Sequence, residues 1–169
     1  MSNIRITGAV LTLLTSWLTG IMLSARLSEK ENTLIAFRQL FCEIKRRITY
    51  EMPDMCQLIN TCTVHYLKPF TDNMYNCLLQ GYTIDESVKE AVNNTPLTNI
   101  LENDEKDFIA GVLSSLGTAD CEAVTEITDS AIIHLDNYIE LAKENRQKNS
   151  KVYFIVSLYI GFAAVILMI

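Results

Sequence analysis

Residues 28–50 read SEKENTLIAFRQLFCEIKRRITY, and this stretch decides the fold class. Its apolar side chains recur at steps of three and four residues, which is the period of one face of an α-helix. They are Leu34, Phe37, Leu40, Phe41, Ile44 and Ile48. Sustained two-residue alternation, which would indicate strands, is nearly absent from the chain. The sequence therefore predicts an all-α protein.

The next helices are read from their start and stop signals. Met52-Pro53 should break the first helix, because proline disfavours a helical conformation at the residue before it. Asp54 is placed to cap a second helix, which Lys68-Pro69 should close. A third helix is predicted over 70–79, with Gly81 as its C-cap.

Three more helices complete the predicted bundle. Thr83-Ile84-Asp85-Glu86 has the pattern of a capping box that opens the fourth helix. A fifth is predicted over 97–116 and should stop at Gly117. The sixth should open at Thr118 or Asp120 and run to the end of the chain without a break. Its apolar seam comprises Val124, Ile127, Ala131, Leu135, Tyr138 and Ala142.

Both ends of the chain lack charged side chains over about one membrane thickness. The charge-free runs cover 6–25 and 152–169. A hydrocarbon core of about 30 Å needs roughly 20 helical residues to cross. We therefore predict transmembrane helices at 5–25 and 152–169. Between them, 26–151 should form a compact cytoplasmic bundle of about six helices.

The charges beside the two runs predict an orientation. Lys143, Arg146 and Lys148 precede the second run, whereas the outer flanks offer only Arg5. Positively charged flanks favour the cytoplasmic side. We expect a cell-membrane protein whose soluble domain faces the cytoplasm, with both termini outside. The alternative is a secretory signal cleaved after Ala25, which would give a secreted or periplasmic helical binding domain with a C-terminal anchor.

Composition limits the class of partner and the redox state. The chain has 20 acidic and 14 basic side chains, and all the acidic ones lie between the two runs. Phosphate backbones prefer a basic surface, so nucleic acid is not an expected partner. The five cysteines form no C-x-x-C pair, a pattern more typical of reduced structural thiols than of a disulfide framework.

No residue constellation indicates an enzyme or a cofactor site. The chain lacks the phosphate-binding glycine loops, the G-x-S-x-G elbow and the H-E-x-x-H pair. Cys62-x-x-His65 with Cys56 is a weak metal pattern, because zinc prefers four nitrogen or sulfur ligands and only three are present. We expect neither catalytic activity nor a bound metal or cofactor.

Two charged clusters are candidate partner-binding surfaces. Lys45, Arg46 and Arg47 are consecutive near the end of the first cytoplasmic helix, where the helix dipole already favours cations. The acidic cluster is Asp104, Glu105 and Asp107. Acidic lipid headgroups or an acidic protein could bind the first cluster, and a basic partner could dock on the second.

The ordered set of motifs resembles the stage III sporulation protein AB family of endospore-forming bacteria. The resemblance rests on six segments and covers nearly the whole chain. They are the N-terminal run ending at Arg26, Phe37-Arg38-Gln39-Leu40, Ile48-x-Tyr50 followed by Pro53, the short-helix middle with Leu78-Leu79 followed by Gly81, Leu116-Gly117-Thr118-Ala119-Asp120, and Lys151-x-Tyr153 leading into Gly161-Phe162. The family is related to the cytoplasmic domain of platform proteins in type II secretion and type IV pilus systems. Arg47 and Glu51-Met52 depart from the family's usual pattern near Pro53. This departure weakens the assignment of the family's binding surface to particular residues of this chain.

The resemblance implies a non-catalytic platform in the mother-cell membrane around the forespore. Such a platform would recruit or couple a cytoplasmic secretion-type ATPase, encoded in the same operon, to a channel between mother cell and forespore. Its other expected partners are the membrane components of that channel and membrane lipid. Self-association of the chain is left open.

Overall fold

The fold is described from a computed structural model that covers the backbone of residues 2–51 and 55–168. Within these ranges it describes all side chains except those of residues 2–10, 12–13, 49–51, 55–56, 121, 154, 161–162, 164–165 and 167–168. The described residues form six α-helices and two short 3-10 helices, and they include no strand. The predicted all-α class is therefore confirmed.

The six helices follow one another in chain order. They are α1 (Ser2–Glu51), α2 (Met55–Asn60), α3 (Lys68–Leu79), α4 (Ile84–Asn94), α5 (Asn103–Leu116) and α6 (Cys121–Met168), with 3-10 helices at His65–Leu67 and Pro96–Ile100. The chain divides into two compact units. One comprises Lys30–Glu140 and is called the helical body below, and the other comprises Met1–Glu29 and Leu141–Ile169 and is called the terminal unit.

The helical body is built around the apolar stripe of α1. Five of the six predicted stripe positions are buried: Leu34, Phe37, Leu40, Phe41 and Ile44. The ring of Phe37 meets that of Phe70 on α3 edge to face, with centroids 5.2 Å apart. Further core side chains come from α3 to α6 and include Met74, Val88, Ile109, Leu113, Val124, Ala131 and Leu135.

Three predicted helix boundaries are confirmed with their atomic reasons. Gly81 has a φ of 88° after α3, and the N–H groups of Gly81 and Tyr82 bond the carbonyls of Leu78 and Cys77, which is the Schellman arrangement. Thr83 and Glu86 form the predicted capping box of α4. At the start of α6, a carboxylate oxygen of Asp120 accepts the N–H of Ala123 at 2.9 Å.

Gly117 ends α5 as predicted, but its φ of −71° is helical, so the turn does not require glycine. The reason for a glycine is space. A Cβ atom there would lie 2.6 Å from Cδ1 and 2.7 Å from Cγ2 of Ile84, the first residue of α4. Glycine at this position therefore lets the end of α5 approach the start of α4.

The predicted second helix is wrong in length. It ends at Asn60, and Lys68-Pro69 opens α3 instead of closing α2. Proline is well tolerated in the first turn of a helix, where its missing N–H has no helical partner. Residues 61–64 are poor helix formers, and hydrogen bonds that join Thr61 and Thr63 to side chains of α1 hold this segment in another conformation. The predicted break at Met52-Pro53 and cap at Asp54 lie outside the described residues.

The fifth helix begins later than predicted. Pro96–Ile100 forms a 3-10 helix, and Thr98 there donates its hydroxyl to the carbonyl of Val92 at 2.5 Å. The chain is extended at Glu102, and the Glu105 carboxylate accepts the N–H of Glu102 at 2.9 Å. This cap selects Asn103 as the first residue of α5.

In the terminal unit, the first part of α1 pairs with the last part of α6. Ser24 and Ser150 share a hydrogen bond of 2.5 Å, and the hydroxyl of Ser16 donates to the carbonyl of Ser157. Within the described residues, no helix combines the length and the apolarity that crossing a membrane requires. Several side chains of both charge-free runs lie outside that description.

Candidate functional site

The basic cluster lies on α1 within the helical body, and its three side chains have different surroundings. Lys45 pairs with Asp129 on α6, with 2.5 Å between Nζ and Oδ1. Arg47 is mostly buried and turned toward Glu43, with Nη2 2.7 Å from Oε1. Arg46 is exposed. Of the three predicted residues, Arg46 is thus the one that faces solvent most fully.

Glu43 organises this region, although sequence reasoning did not select it. Its carboxylate is buried. One oxygen, Oε1, faces the Arg47 guanidinium, whereas Oε2 accepts the N–H of Thr63 at 3.2 Å and the Thr63 hydroxyl at 2.8 Å. Arg47 also donates to the carbonyl of Thr61 at 2.7 Å. These bonds tie the chain after α2 to α1, and charged partners make them stronger than neutral hydrogen bonds.

A surface groove of about 340 Å³ lies beside this network. Gln39, Cys42, Glu43 and Arg46 of α1 form one wall, and Thr63 and Val64 form the other. Because Glu43 already has its partners, the exposed rim is supplied by Arg46, Gln39 and Thr63. The Thr63 hydroxyl already donates its hydrogen to Glu43, so the guanidinium of Arg46 and the amide of Gln39 are the groups at this rim that can hydrogen-bond a carboxylate.

The acidic cluster lies at the start of α5, with Asp104 and Glu105 in its first turn. Asp104 and Asp107 are exposed, whereas Glu105 is buried. Glu105 lies 3.0 Å from Nζ of Lys30, which also bonds Glu102 at 2.6 Å. Burial alone would lower the pKa of Lys30, but its hydrogen bonds to Glu102 and Glu105 and their negative charge raise it above its usual value.

The two charged clusters do not form one site. Lys30 contacts the acidic cluster, and Lys45 to Arg47 lie 15 to 17 residues further along the same helix α1. At a rise of 1.5 Å per residue this separates them by about 22 Å or more. A single partner that contacts both clusters must therefore extend along the helical body.

Ion pairs between α1 and α6 were missed by sequence reasoning. Arg38 pairs with Asp136 at 2.5 Å, seven residues from the pair of Lys45 with Asp129. The hydrogen bond to Asp136 raises the pKa of Arg38 above its usual value. The spacing of seven residues on both helices, with opposite charges beside each apolar stripe, is a signal that could have predicted two antiparallel neighbours.

The weak metal pattern around Cys62 does not assemble among the described side chains. Burial raises the pKa of the Cys62 thiol above its usual value, and Sγ lies 4.0 Å from Oε2 of Glu43. His65 is exposed. In the part of the chain that the structure describes, no three His, Cys, Asp or Glu side chains are arranged to hold a metal ion. Cys56 has its side chain outside that part.

The helical body is an all-α bundle with a polar groove beside the ion pair of Arg47 with Glu43. A profile of the family described as stage III sporulation protein AB matches residues 5–169. This chain therefore belongs to the stage III sporulation protein AB family, which confirms the resemblance seen in its motifs. No curated protein and no solved structure matches the chain.

Proposed function

We propose that this chain is a non-catalytic membrane platform of a sporulation-specific, secretion-like channel between mother cell and forespore. Its task is to recruit or couple a cytoplasmic secretion-type ATPase to the other membrane components of that channel. The observation that carries the proposal is family membership over residues 5–169. An all-helical body with an exposed polar groove is compatible with protein docking.

The proposed anchors are 5–25 and 152–169, which contain the two charge-free runs. Lys143, Arg146 and Lys148 support a cytoplasmic location for the chain between them, because positive flanks favour that side. The protein would thus reside in the mother-cell membrane around the forespore, with both termini outside. Membrane lipid is then a contact of both anchors.

The proposed docking face for the ATPase is the groove whose rim carries Arg46. Arg46 is exposed, whereas Lys45 and Arg47 already have acidic partners within the helical body. An acidic segment of the ATPase suits this rim by charge. Asp104 and Asp107 on α5 offer a second contact for basic side chains, and Lys30, which meets their cluster, lies about 24 Å from Arg46 along α1.

Binding of the purified partner to the full-length chain in nanodiscs tests this face. Reversing the charge in Arg46→Glu should weaken binding of the ATPase by about tenfold, because a like charge would then face its acidic segment. Lys68→Glu is the matched control, since Lys68 is also exposed but lies at the start of α3 outside the groove. Equal losses in both variants would remove the groove from the proposal, and ATP hydrolysis by the chain alone would contradict the non-catalytic assignment.

Topology is tested separately in protoplasts of sporulating cells. A cysteine introduced at exposed Asn99 should react with a membrane-impermeant reagent only after lysis, as read from the labelled peptide. Labelling in intact protoplasts would instead support a secreted or periplasmic domain with a C-terminal anchor. Retention of the N-terminal run in the mature protein, measured by intact mass, separates an anchor from a cleaved signal.

A further inference from the structure

A second groove, of about 560 Å³, lies within the terminal unit. Its walls come from the first part of α1 and the last part of α6. The apolar lining is Ile21, Ala25 and Ile155, and the polar lining includes Ser28, Ser150 and Lys151.

The lining changes from apolar to polar in the same direction on both helices. Along α1 it passes from Ile21 through Ser24 and Ala25 to Ser28, and along α6 it passes from Ile155 back to Lys151 and Ser150. The two helices run antiparallel here, because Ser16 bonds Ser157 while Ser24 bonds Ser150. One end of the groove is therefore apolar and the other carries hydroxyls and an ammonium group.

This change coincides with the edge of the proposed membrane anchors. Ile21, Ala25 and Ile155 fall inside 5–25 and 152–169, whereas Lys151 and Ser28 fall just outside them. A groove of this kind has its apolar part at the depth of acyl chains and its cationic part at the depth of headgroups. Lys151 is exposed and so is available to an anion at that level.

We propose that this groove binds one anionic phospholipid of the cytoplasmic leaflet. An acyl chain packs against Ile21, Ala25 and Ile155, and the headgroup phosphate accepts hydrogen bonds from the Lys151 ammonium and the Ser28 hydroxyl. The charge of Lys151 selects an anionic headgroup over a zwitterionic one. This inference rests on the proposed function, because it requires the two anchors to lie in a bilayer.

The full-length chain in phosphatidylcholine vesicles tests the inference with photoactivatable phospholipids. The probe is phosphatidylglycerol with a diazirine in its acyl chain, compared with the matching phosphatidylcholine probe. Phosphatidylglycerol should label peptides that contain residues 21–25 or 155 about fivefold more than phosphatidylcholine does. Lys151→Gln should abolish this preference.

Two further variants distinguish lipid binding in the groove from general attraction of anionic lipid to a basic surface. Lys148→Gln removes the same charge nearby, but Lys148 does not line the groove and pairs with Glu144 at 3.1 Å, so the preference should remain. Ala25→Phe fills the apolar end at an exposed position without changing charge, and labelling by the anionic probe should fall to the phosphatidylcholine level. Equal effects of Lys151→Gln and Lys148→Gln on the labelling preference, or full labelling of Ala25→Phe, would overturn the proposal that the groove binds the lipid.

Carbonate extraction of the membranes distinguishes failure of the proposed lipid site from failure of the two membrane anchors on which it rests. A chain released by carbonate would overturn both the anchors and the lipid site. A chain that resists extraction but shows no preference between the two probes would overturn the lipid site alone. Cross-linking of the groove to a protein instead of a lipid would likewise overturn it.

Discussion

Replacing Gly117 by alanine should destabilise the helical body, although the backbone there is helical and suits alanine. A Cβ at residue 117 would lie 2.6 Å from the Cδ1 of Ile84. Two carbon atoms are most favourably placed about 3.5 to 4.0 Å apart, so the new atom is about 1 Å too close. Overpacking of this size typically costs about 1 to 3 kcal/mol.

Gly111 provides a matched control on the same helix. It lies in α5 and is exposed, and a Cβ there would meet nothing within 4 Å. Gly111→Ala should therefore stabilise the protein by about 0.5 to 1 kcal/mol through the lower backbone entropy of alanine in the unfolded chain. The two substitutions are chemically identical but are expected to have opposite signs.

Urea unfolding of the full-length chain in detergent, followed by circular dichroism, measures both effects. A double-mutant cycle with Ile84→Ala tests the cause, because removing the Ile84 side chain should relieve most of the cost of Gly117→Ala. Stabilisation by Gly117→Ala, or a cost that is unchanged in the Ile84→Ala background, would refute the close approach of α4 and α5 as the reason for this glycine.

Three further predictions concern the charged and thiol groups. Glu43→Gln should lower the free energy of unfolding by about 2 to 3 kcal/mol, because an amide has one accepting oxygen and cannot accept from both Arg47 and Thr63. Glu126→Gln, on an exposed face of α6, is the control and should change stability by less than about 0.5 kcal/mol. Lys30→Met should cost about 3 kcal/mol at neutral pH by leaving buried Glu105 without its cation. The pKa of Lys30 is raised in the folded state, so the stability that its charge contributes is complete below pH 10.5 and is lost as the pH rises through the raised pKa. A difference in unfolding free energy between the unchanged chain and Lys30→Met that persists above the raised pKa would contradict this. The pKa of Cys62 is raised by burial, so its alkylation rate should have a midpoint above pH 9.0, and a lower midpoint would contradict that environment.

Most helix boundaries that depend on neighbouring residues could be predicted from the sequence. The capping box at Thr83 and the C-cap at Gly81 are local features, and the apolar stripe around Phe37 follows a simple period. The length of α2 could not be predicted in this way. It depends on hydrogen bonds that Glu43 accepts and Arg47 donates, which join them to a segment 14 to 20 residues further along the chain.

The candidate docking site was predicted only in part for the same reason. Arg46 was selected because it belongs to a run of cations, and the structure leaves it exposed beside a groove. Glu43 was not selected, since a single acidic residue beside an apolar stripe ordinarily faces solvent. Glu105 was grouped with Asp104 and Asp107 by proximity in sequence, but helical geometry turns it inward, where Lys30 meets it.

Two of the buried glutamates, Glu43 and Glu105, divide their oxygen atoms between two different tasks. In Glu105, Oε2 caps the start of α5 and Oε1 faces Lys30 of α1; in Glu43, Oε2 holds Thr63 and Oε1 faces Arg47. Loosening the first turn of α5 therefore also deprives Lys30 of a partner, and loosening the segment at Thr63 disturbs the ion pair on α1. Local fraying and loss of tertiary contact become a single event at both places, so amide hydrogens there should exchange cooperatively instead of one at a time.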